Sequence, residues 1–143
     1  MKKSAGFTLL ELIVVMVIVG ILAVTAMSRY GNKSSFSLKT EQEQLIAALF
    51  QAQQLAMSGR PTQFAILSLN SFSVRDATDP ANHYSVASIT YPQQLTAGVS
   101  FNPSTLVRTY SALGATSPAT ITLSADGDSV AVCLEASGYA HAC

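Results

Sequence analysis

The chain has 143 residues, enough for one domain with a modest hydrophobic core. Apolar residues make up 49% of it and charged residues only 11%, a balance too apolar for an ordinary soluble domain. Eight basic and eight acidic residues cancel, which excludes a bulk electric field that would attract nucleic acid or acidic partners. The excess of apolar residues must therefore be concentrated in one part of the chain.

That concentration is a single run near the start of the chain. It extends from Phe7 to Met27, behind the basic segment MKKSAG at residues 1–6. Three polar side chains interrupt it, namely Thr8, Glu11 and Thr25. As a helix, about 21 residues rising about 1.5 Å each cross the roughly 30 Å hydrocarbon layer of a bilayer. The sequence therefore predicts a membrane-spanning helix at residues 7–28.

A secretory signal peptide is the alternative explanation of this segment, with a cleavage site at AVTA (residues 23–26). The run is longer and less broken than the apolar region of an ordinary signal peptide, and the carboxyl group of Glu11 lies inside it. Both features favour a retained membrane helix over a cleaved signal.

The orientation of that helix is not fixed by its flanking charges. Basic residues lie on both sides of it, Lys2 and Lys3 before and Arg29, Lys33 and Lys39 after. The two cysteines, Cys133 and Cys143, lie at the far end of the chain, and such a pair behind a membrane segment is typical of a disulfide formed outside the cytosol. The C-terminal part is therefore predicted to be extracytoplasmic.

The pattern of residues 29–59 predicts that the helix continues there in amphipathic form. Gly31 and Asn32 lie in a serine-rich stretch of weak helix propensity, which predicts a weak or locally unwound segment there. Thr40 and Glu43 have the spacing of a capping box, which predicts that regular helix resumes at this point.

One face of this second helical half is apolar. The residues of this stripe recur at steps of three, four or seven: Leu38, Leu45, Leu49, Ala52 and Ala56. Gly59 and Pro61 are predicted to end the helix. The stripe therefore favours packing of this helix against another element.

From residue 60 to 143 the pattern changes to short β-like runs separated by turn residues. The runs are FAILSL, FSV, YSVASITY, VSF, TITLS and SVAVCLE. The apolar phase slips between Val86 and Ile89, which predicts a bulge, and residues 125–128 and 136–138 predict hairpin turns. The fold class is therefore α+β: a long N-terminal helix, half apolar and half amphipathic, packed on a small antiparallel sheet.

Glu11 is the most informative single residue, because a carboxylate within an apolar spanning segment costs several kcal/mol and is seldom kept without a partner. It lies four residues after Phe7, so it could instead extend from near the helix end to the membrane interface. If the chain were cut after Gly6, the new amine at Phe7 could pair with Glu11 of a neighbouring subunit.

The segment KKSAGFTLLELIVVMVIVGILAV (residues 2–24) closely resembles the N-terminus of the type IV prepilin family, which includes the pseudopilins of type II secretion. The resemblance implies that a membrane-embedded prepilin peptidase cleaves between Gly6 and Phe7 and methylates the new amine of Phe7. It also implies that Glu11 neutralises the N-terminus of an adjacent subunit during filament assembly.

The same resemblance implies the fold, partners and location of the protein. Residues 1–6 would be the leader, 7–28 the transmembrane and polymerisation helix, 29–59 the amphipathic half and 60–143 an extracytoplasmic β-rich region in a pilin fold. The partners would be other pilin subunits, the peptidase and the inner-membrane assembly machinery. The protein would cross the bacterial inner membrane once, with its C-terminal region in the periplasm, and then join a pilus at the cell surface.

A looser resemblance concerns the subunit type. GILAVTA (residues 20–26) followed by Arg29 and Tyr30 is similar to MSHA-type pilins, and AALFQAQQLAMSGRP (residues 47–61) to minor pilins of the MshC and GspH/FimT kind. Ser28 stands where many major pilins carry proline. The resemblance implies a minor pilin with a role in pilus biogenesis or adhesion. The alternatives are a type II secretion pseudopilin and a single-pass anchored binding domain that does not polymerise.

Cys133 and Cys143 fit a hairpin centred on Gly138, in which the two positions face each other. The pair also resembles the C-terminal disulfide loop of type IVa pilins. Two unpaired cysteines at a strand end are the alternative.

The sequence contains no motif for catalysis, metal binding or nucleic-acid binding. His83 and His141 have no ligand partner at metal-site spacing, and both are interpreted as surface loop residues. The carboxylates considered are Asp76, Asp79, Asp126 and Asp128, of which the last two flank a turn glycine. Arg60, Arg75 and Arg108 are too scattered for a phosphate-binding stripe. The sequence therefore predicts a structural protein with no catalytic residue, cofactor or metal.

Overall fold

A computed structural model describes residues 8–27, 33–86 and 88–143 of the chain. The chain divides into two compact units, an N-terminal unit, Met1–Lys33, and a C-terminal unit, Ser34–Cys143.

Helix α1, Leu9–Met27, forms the N-terminal unit. Its apolar residues cover every side of the helix instead of forming one stripe, so the helix lacks a preferred apolar face. Among the described residues, no helix is both long enough and apolar enough to cross a membrane.

Helix α2, Lys33–Met57, starts earlier than the sequence suggests. The prediction of a helix start at Thr40 is wrong, because Thr40 and Glu43 both lie inside α2 and the Thr40 hydroxyl donates to the carbonyl of Phe36 (3.1 Å). A hydroxyl bonded to the carbonyl four residues back is a helix-interior contact and not a cap. The prediction of an unwound stretch at Gly31 and Asn32 falls outside the described residues.

The end of α2 follows the prediction. Gly59 has a φ of 87°, and its N–H donates to the carbonyl of Ala56 (3.0 Å), while the N–H of Arg60 donates to that of Leu55 (3.1 Å). This pair of bonds is a Schellman motif, which needs a left-handed residue that glycine adopts at little cost.

In the described residues ten strands follow α2. They are β1 Thr62–Ser68, β2 Ser71–Asp76, β3 Ser85–Val86, β4 Ile89–Thr90, β5 Gln93–Gln94, β6 Ser100–Asn102, β7 Leu106–Thr109, β8 Ala119–Ala125, β9 Asp128–Leu134 and β10 Ala140–Ala142. One four-stranded sheet has the order β5-β2-β1-β7, a second has β10-β9-β8-β6, and β3 pairs with β4. All pairs are antiparallel. The antiparallel β-region is thus confirmed, but as two four-stranded sheets and a hairpin.

One strand prediction is wrong. The segment YSVASITY does not form one bulged strand, because β3 folds back on β4, with Val86 opposite Ile89 and Ser85 opposite Thr90. The phase slip between Val86 and Ile89 therefore marks a reversal of the chain. The predicted turn at 125–128 is present, with Asp126 and Gly127 both at positive φ, as a type I′ turn requires.

A single hydrophobic core joins α2 to both sheets. The predicted stripe of α2 is fully within it, since Leu38, Leu45, Leu49, Ala52 and Ala56 are each no more than 2% exposed. Phe72 lies at the centre of the aromatic contacts, with ring centroids 5.9 Å from Phe64, 6.3 Å from Tyr91 and 5.9 Å from Phe101. The core therefore fixes α2 on the sheets.

Polar side chains of α2 also hold distant segments. Glu41 is 3% exposed and accepts hydrogen bonds through Oε1 from the backbone N–H of Thr96 (2.8 Å) and from its hydroxyl. Gln42 donates to the carbonyl of Ala131 (2.6 Å). Glu41 occupies a stripe position, three residues after Leu38, where its burial was not predicted.

Candidate assembly site

The first turn of α1 carries the predicted assembly residue, Glu11. Thr8 precedes the helix, and its carbonyl accepts from the N–H groups of Glu11 (3.1 Å) and Leu12 (3.2 Å). The Thr8 hydroxyl accepts from the N–H of Glu11 (3.3 Å), so Thr8 is the N-cap of α1. Thr8 and Glu11 also have capping-box spacing, so this cap has a sequence signal, although the only cap predicted above was the one at Thr40.

The position of Glu11 suits a carboxylate. It lies in the first turn of α1, where the partial positive charge of the helix N-terminus favours an anion. The predicted processing residues, Gly6 and Phe7, precede Thr8 and lie outside the described residues. The geometry between Glu11 and a new amine at Phe7 therefore stays a prediction.

The large apolar side chains of α1 are open to solvent in the single chain. From Leu9 to Leu22 they are between 47% and 77% exposed. Burying a side chain of this size is worth roughly 1.5 to 3 kcal/mol, so a surface of this extent is strongly unfavourable in water. It favours a helix that is covered by lipid or by other helices.

The C-terminal hairpin holds the two cysteines. Cys133 and Cys143 form a disulfide with their Cα atoms 5.7 Å apart. The predicted register is wrong, because Cys133 lies opposite His141, and the N–H of Cys143 donates to the carbonyl of Ala131 (3.1 Å). The disulfide therefore joins positions diagonal to each other across β9 and β10.

His141 and its neighbours form an exposed cluster on this hairpin. Its ring stacks on Tyr139 with centroids 5.4 Å apart, and its Nε2 lies 3.3 Å from Oε1 of Glu135. A hydrogen bond to the carbonyl of Ala142 and, second, the bond to Glu135 raise the pKa of His141 above its usual 6.5.

The residues considered for catalysis have structural contacts. His83 lies with Nδ1 2.6 Å from the hydroxyl of Ser73, which is fully buried. Asp76 accepts from the hydroxyl and the N–H of Thr78, and these bonds lower its pKa. In the described parts of the chain, no group of three or more His, Cys, Asp or Glu side chains is placed to hold a metal.

A groove of about 320 Å³ lies between α2 and the β4–β5 segment. Tyr91 is the titratable residue of its lining, and burial raises the pKa of that phenol to about 12. The Tyr91 hydroxyl donates to Oε1 of Gln51 (2.7 Å). Among the described residues that line the groove, none is therefore an acid or base that titrates near neutral pH.

Comparison with known proteins adds two findings. Residues 1–27 match the family model described as the prokaryotic N-terminal methylation motif. No curated protein matches the chain in sequence.

Two solved structures share the fold. The minor pseudopilin EpsH from the type 2 secretion system of Vibrio cholerae superposes with a TM-score of 0.62 at 14% identity, over 75% of this chain and 96% of its own. The type IV minor pilin FimU of Pseudomonas aeruginosa superposes with a TM-score of 0.55 at 14% identity, over 73% of this chain and 87% of its own. At these identities the likeness establishes the fold.

The chain thus combines a methylation motif at residues 1–27 with a fold that it shares with a minor pseudopilin and a minor pilin. The chain is therefore similar to type IV pilins and pseudopilins in two separate respects, its N-terminal motif and its fold, and both similarities agree with the resemblance seen in its N-terminal sequence. The finer resemblance to the MSHA type stays a prediction.

Proposed function

We propose that this chain is a minor subunit of a type IV pilus-like filament, assembled through α1 after a prepilin peptidase removes residues 1–6 and methylates Phe7. The observation that carries the proposal is a helix whose apolar side chains are exposed on every side and whose first turn bears the carboxyl group of Glu11. The methylation motif and the fold shared with a minor pilin support it.

In this proposal the protein has two successive environments. Before assembly the apolar segment from residue 7 to 28 anchors the chain in the inner membrane, with the C-terminal unit in the periplasm. During assembly α1 exchanges lipid for like helices, and packing contacts take over from lipid contacts. An unpaired Glu11 in that dry bundle costs several kcal/mol, which the amine of a neighbour's Phe7 offsets, so the carboxylate sets the stagger between subunits.

The test compares three variants of the full chain in cells with an active prepilin peptidase. Glu11→Gln removes the charge, Glu11→Val removes the polar group, and Glu43→Gln changes an exposed glutamate of α2 as the matched control. Intact mass reports the start at Phe7 and its methylation, membrane fractionation reports insertion, and immunoblots of sheared filaments report incorporation.

All three variants are expected in the membrane with the leader removed. Glu43→Gln enters filaments at the wild-type level, whereas both Glu11 variants are lost from them. Wild-type abundance of Glu11→Val in filaments would exclude the assembly role of Glu11. Absence of wild-type protein from sheared filaments would favour an anchored domain that does not polymerise.

A second candidate function is that of a type II secretion pseudopilin, favoured by the higher TM-score with EpsH than with FimU. Deletion of the gene distinguishes the two. Loss of export of folded proteins with normal surface pili supports the pseudopilin, and the opposite pattern supports the minor pilin.

A further inference from the structure

The first two turns of α2 carry an exposed aromatic side chain. Phe36 is 78% exposed, whereas Leu38, two residues later, is 1% exposed and lies in the core. Side chains two residues apart on an α-helix point about 200° apart, so Phe36 lies on the side of α2 opposite the core. The packing of the C-terminal unit therefore does not account for this large apolar side chain.

Positive charge is concentrated around the same turns. Lys33 and Lys39 are three positions before and after Phe36 in α2, and Lys39 is exposed. From residue 28 to residue 40 the sequence contains three basic residues and no acidic residue, whereas residues 41–143 contain three basic and seven acidic residues. Positions three apart are neighbours on one face of a helix. Phe36 is therefore flanked by a basic position on each side.

These turns also follow closely after the apolar run. Residue 28 ends the predicted spanning segment, and Phe36 is eight positions later, which is about 12 Å along a continuous helix. The headgroup layer on each side of a bilayer is about 5 to 8 Å thick, and charges in physiological salt interact across about 8 Å beyond it. In the proposed function, lipid headgroups are thus the surface nearest to Phe36 and Lys39.

The charge distribution favours an anionic lipid surface as the binding partner. Basic residues are disfavoured on the translocated side of a membrane segment, yet the predicted extracytoplasmic flank of residues 28–40 carries three of them. A contact that compensates these charges would account for their position. Basic residues beside a span are attracted to anionic headgroups, and an aromatic side chain on such a helix is favoured at the boundary between headgroups and acyl chains.

We propose that the first turns of α2 bind the anionic phospholipid headgroups of the bilayer in which the chain is anchored. Phe36 inserts among the headgroups, and Lys33 and Lys39 lie against lipid phosphates. The contact rests on the proposed function, because it needs the preceding apolar segment to lie in the membrane. It holds the start of the C-terminal unit at the membrane before assembly and is released when the chain leaves the lipid.

Tryptophan fluorescence tests this contact, because the chain has no tryptophan of its own. Phe36→Trp reports on the proposed contact. Phe50→Trp is the matched control, since Phe50 is another exposed phenylalanine of α2 (54%), about 21 Å further along the helix. Each full chain is reconstituted into vesicles of phosphatidylcholine alone and into vesicles with about one third phosphatidylglycerol. Both kinds of vesicle contain brominated lipid, which quenches tryptophan close to it.

Tryptophan at position 36 is expected to be quenched strongly in the phosphatidylglycerol vesicles and weakly in the neutral ones, whereas tryptophan at position 50 is quenched little in both. Lys39→Gln in the position-36 reporter should lower the contact equilibrium about fivefold, and the further change Lys33→Gln about fivefold again. Arg60→Gln, which removes an exposed arginine beyond the end of α2, should leave the quenching unchanged. Salt at about 1 M, where the screening length falls to about 3 Å, should act like the two lysine changes.

Equal quenching at position 36 in the two kinds of vesicle, or equal quenching at positions 36 and 50, overturns the proposal. A second experiment identifies the neighbour in cells, with photoreactive benzoylphenylalanine at position 36 of the full chain. Crosslinks to phospholipid are expected. Crosslinks to protein alone overturn the proposal in favour of an interface with another subunit.

Failure of this contact is distinguishable from failure of the proposed function. Resistance of the reconstituted chain to alkaline extraction reports insertion of the apolar segment independently of position 36. An inserted chain without lipid-dependent quenching rejects the contact of α2 and leaves the role of α1 intact. A chain that alkali extracts contradicts both, because the membrane anchor on which the contact depends is then missing.

Discussion

At the scale of the residue, Gly138 shows how one position can join distant parts of the fold. It has a φ of 86°, and a Cβ placed on it would lie 1.9 Å from the carbonyl oxygen of Gly114 and 2.7 Å from Nε2 of Gln53. The close approach lets Gln53 donate hydrogen bonds both to Ser137 in the C-terminal hairpin and to Gly114 in the loop of residues 111–115. Only glycine meets both the backbone and the space requirement.

We expect Gly138→Ala to destabilise the protein more than Gly127→Ala. Gly127 has a φ of 89° with no atom within 4 Å of its added Cβ, so alanine there meets only the left-handed strain of about 1 to 2 kcal/mol. Gly138→Ala adds a backbone clash and should cost roughly 3 kcal/mol or more. Urea unfolding of detergent-solubilised protein, followed by circular dichroism, measures both, and equal losses would contradict the clash.

At the scale of the element, the C-terminal hairpin contains a pH-dependent contact. The pKa of His141 is raised in the folded chain, first by its bond to the Ala142 carbonyl and then by Glu135. A group with a raised pKa binds its proton more tightly when folded. Its stabilising effect is therefore complete below the unfolded pKa near 6.5 and is lost as the pH rises through the folded pKa.

We expect Glu135→Gln to lower the pKa of His141. The pKa should stay above its usual value, because the hydrogen bond to the Ala142 carbonyl is retained. Wild type should melt above this variant at pH 5.5, and the difference should shrink at pH 8.5. NMR titration of the His141 ring and thermal melts at the two pH values measure these effects. An unchanged His141 pKa in the variant would show that Glu135 does not contribute.

The elements also show what the sequence could predict. The stripe of α2 and its end at Gly59 depend on local periodicity and one backbone conformation, and both predictions are confirmed. The start of α2 does not follow from local propensity. The serines before Leu38 are weak helix formers, but the burial of Leu38 in the core stabilises the helical conformation of this segment. Local propensity therefore predicted a later start at Thr40 than tertiary packing gives.

Other features depended on contacts far apart in the chain. The chain reverses between β3 and β4, but the sequence between Val86 and Ile89 contains no glycine or asparagine that would predict a turn. The hydrogen bond between Glu41 and Thr96 joins residues 55 positions apart, which a local pattern cannot predict. The candidate assembly site likewise contains one residue that was predicted and one that was not. Glu11 was identified from its charge in an apolar run, whereas the spacing of Thr8 and Glu11 is a sequence signal whose role as the N-cap of α1 is established by the start of that helix.

At the scale of the whole molecule, the two units have different requirements. The core residues of the C-terminal unit run from Leu38 to Leu134 and all lie within that unit. The described side chains of α1 are exposed. The C-terminal unit therefore contains the apolar contacts that a stable domain needs, and α1 requires lipid or other helices.

We expect residues 34–143, produced without the preceding segment, to fold as a monomer with cooperative unfolding. A shorter chain, residues 43–143, is the comparison, because it lacks Leu38, which is 1% exposed, and Glu41, which holds Thr96. Loss of a buried leucine alone costs about 3 kcal/mol, so the shorter chain should be less stable by at least that amount.

Light scattering after size-exclusion chromatography reports the oligomeric state, and urea unfolding with the disulfide intact reports stability. Aggregation of residues 34–143 would show that the C-terminal unit needs α1 to fold, and equal stability of the two chains would show that the first turns of α2 do not support the core.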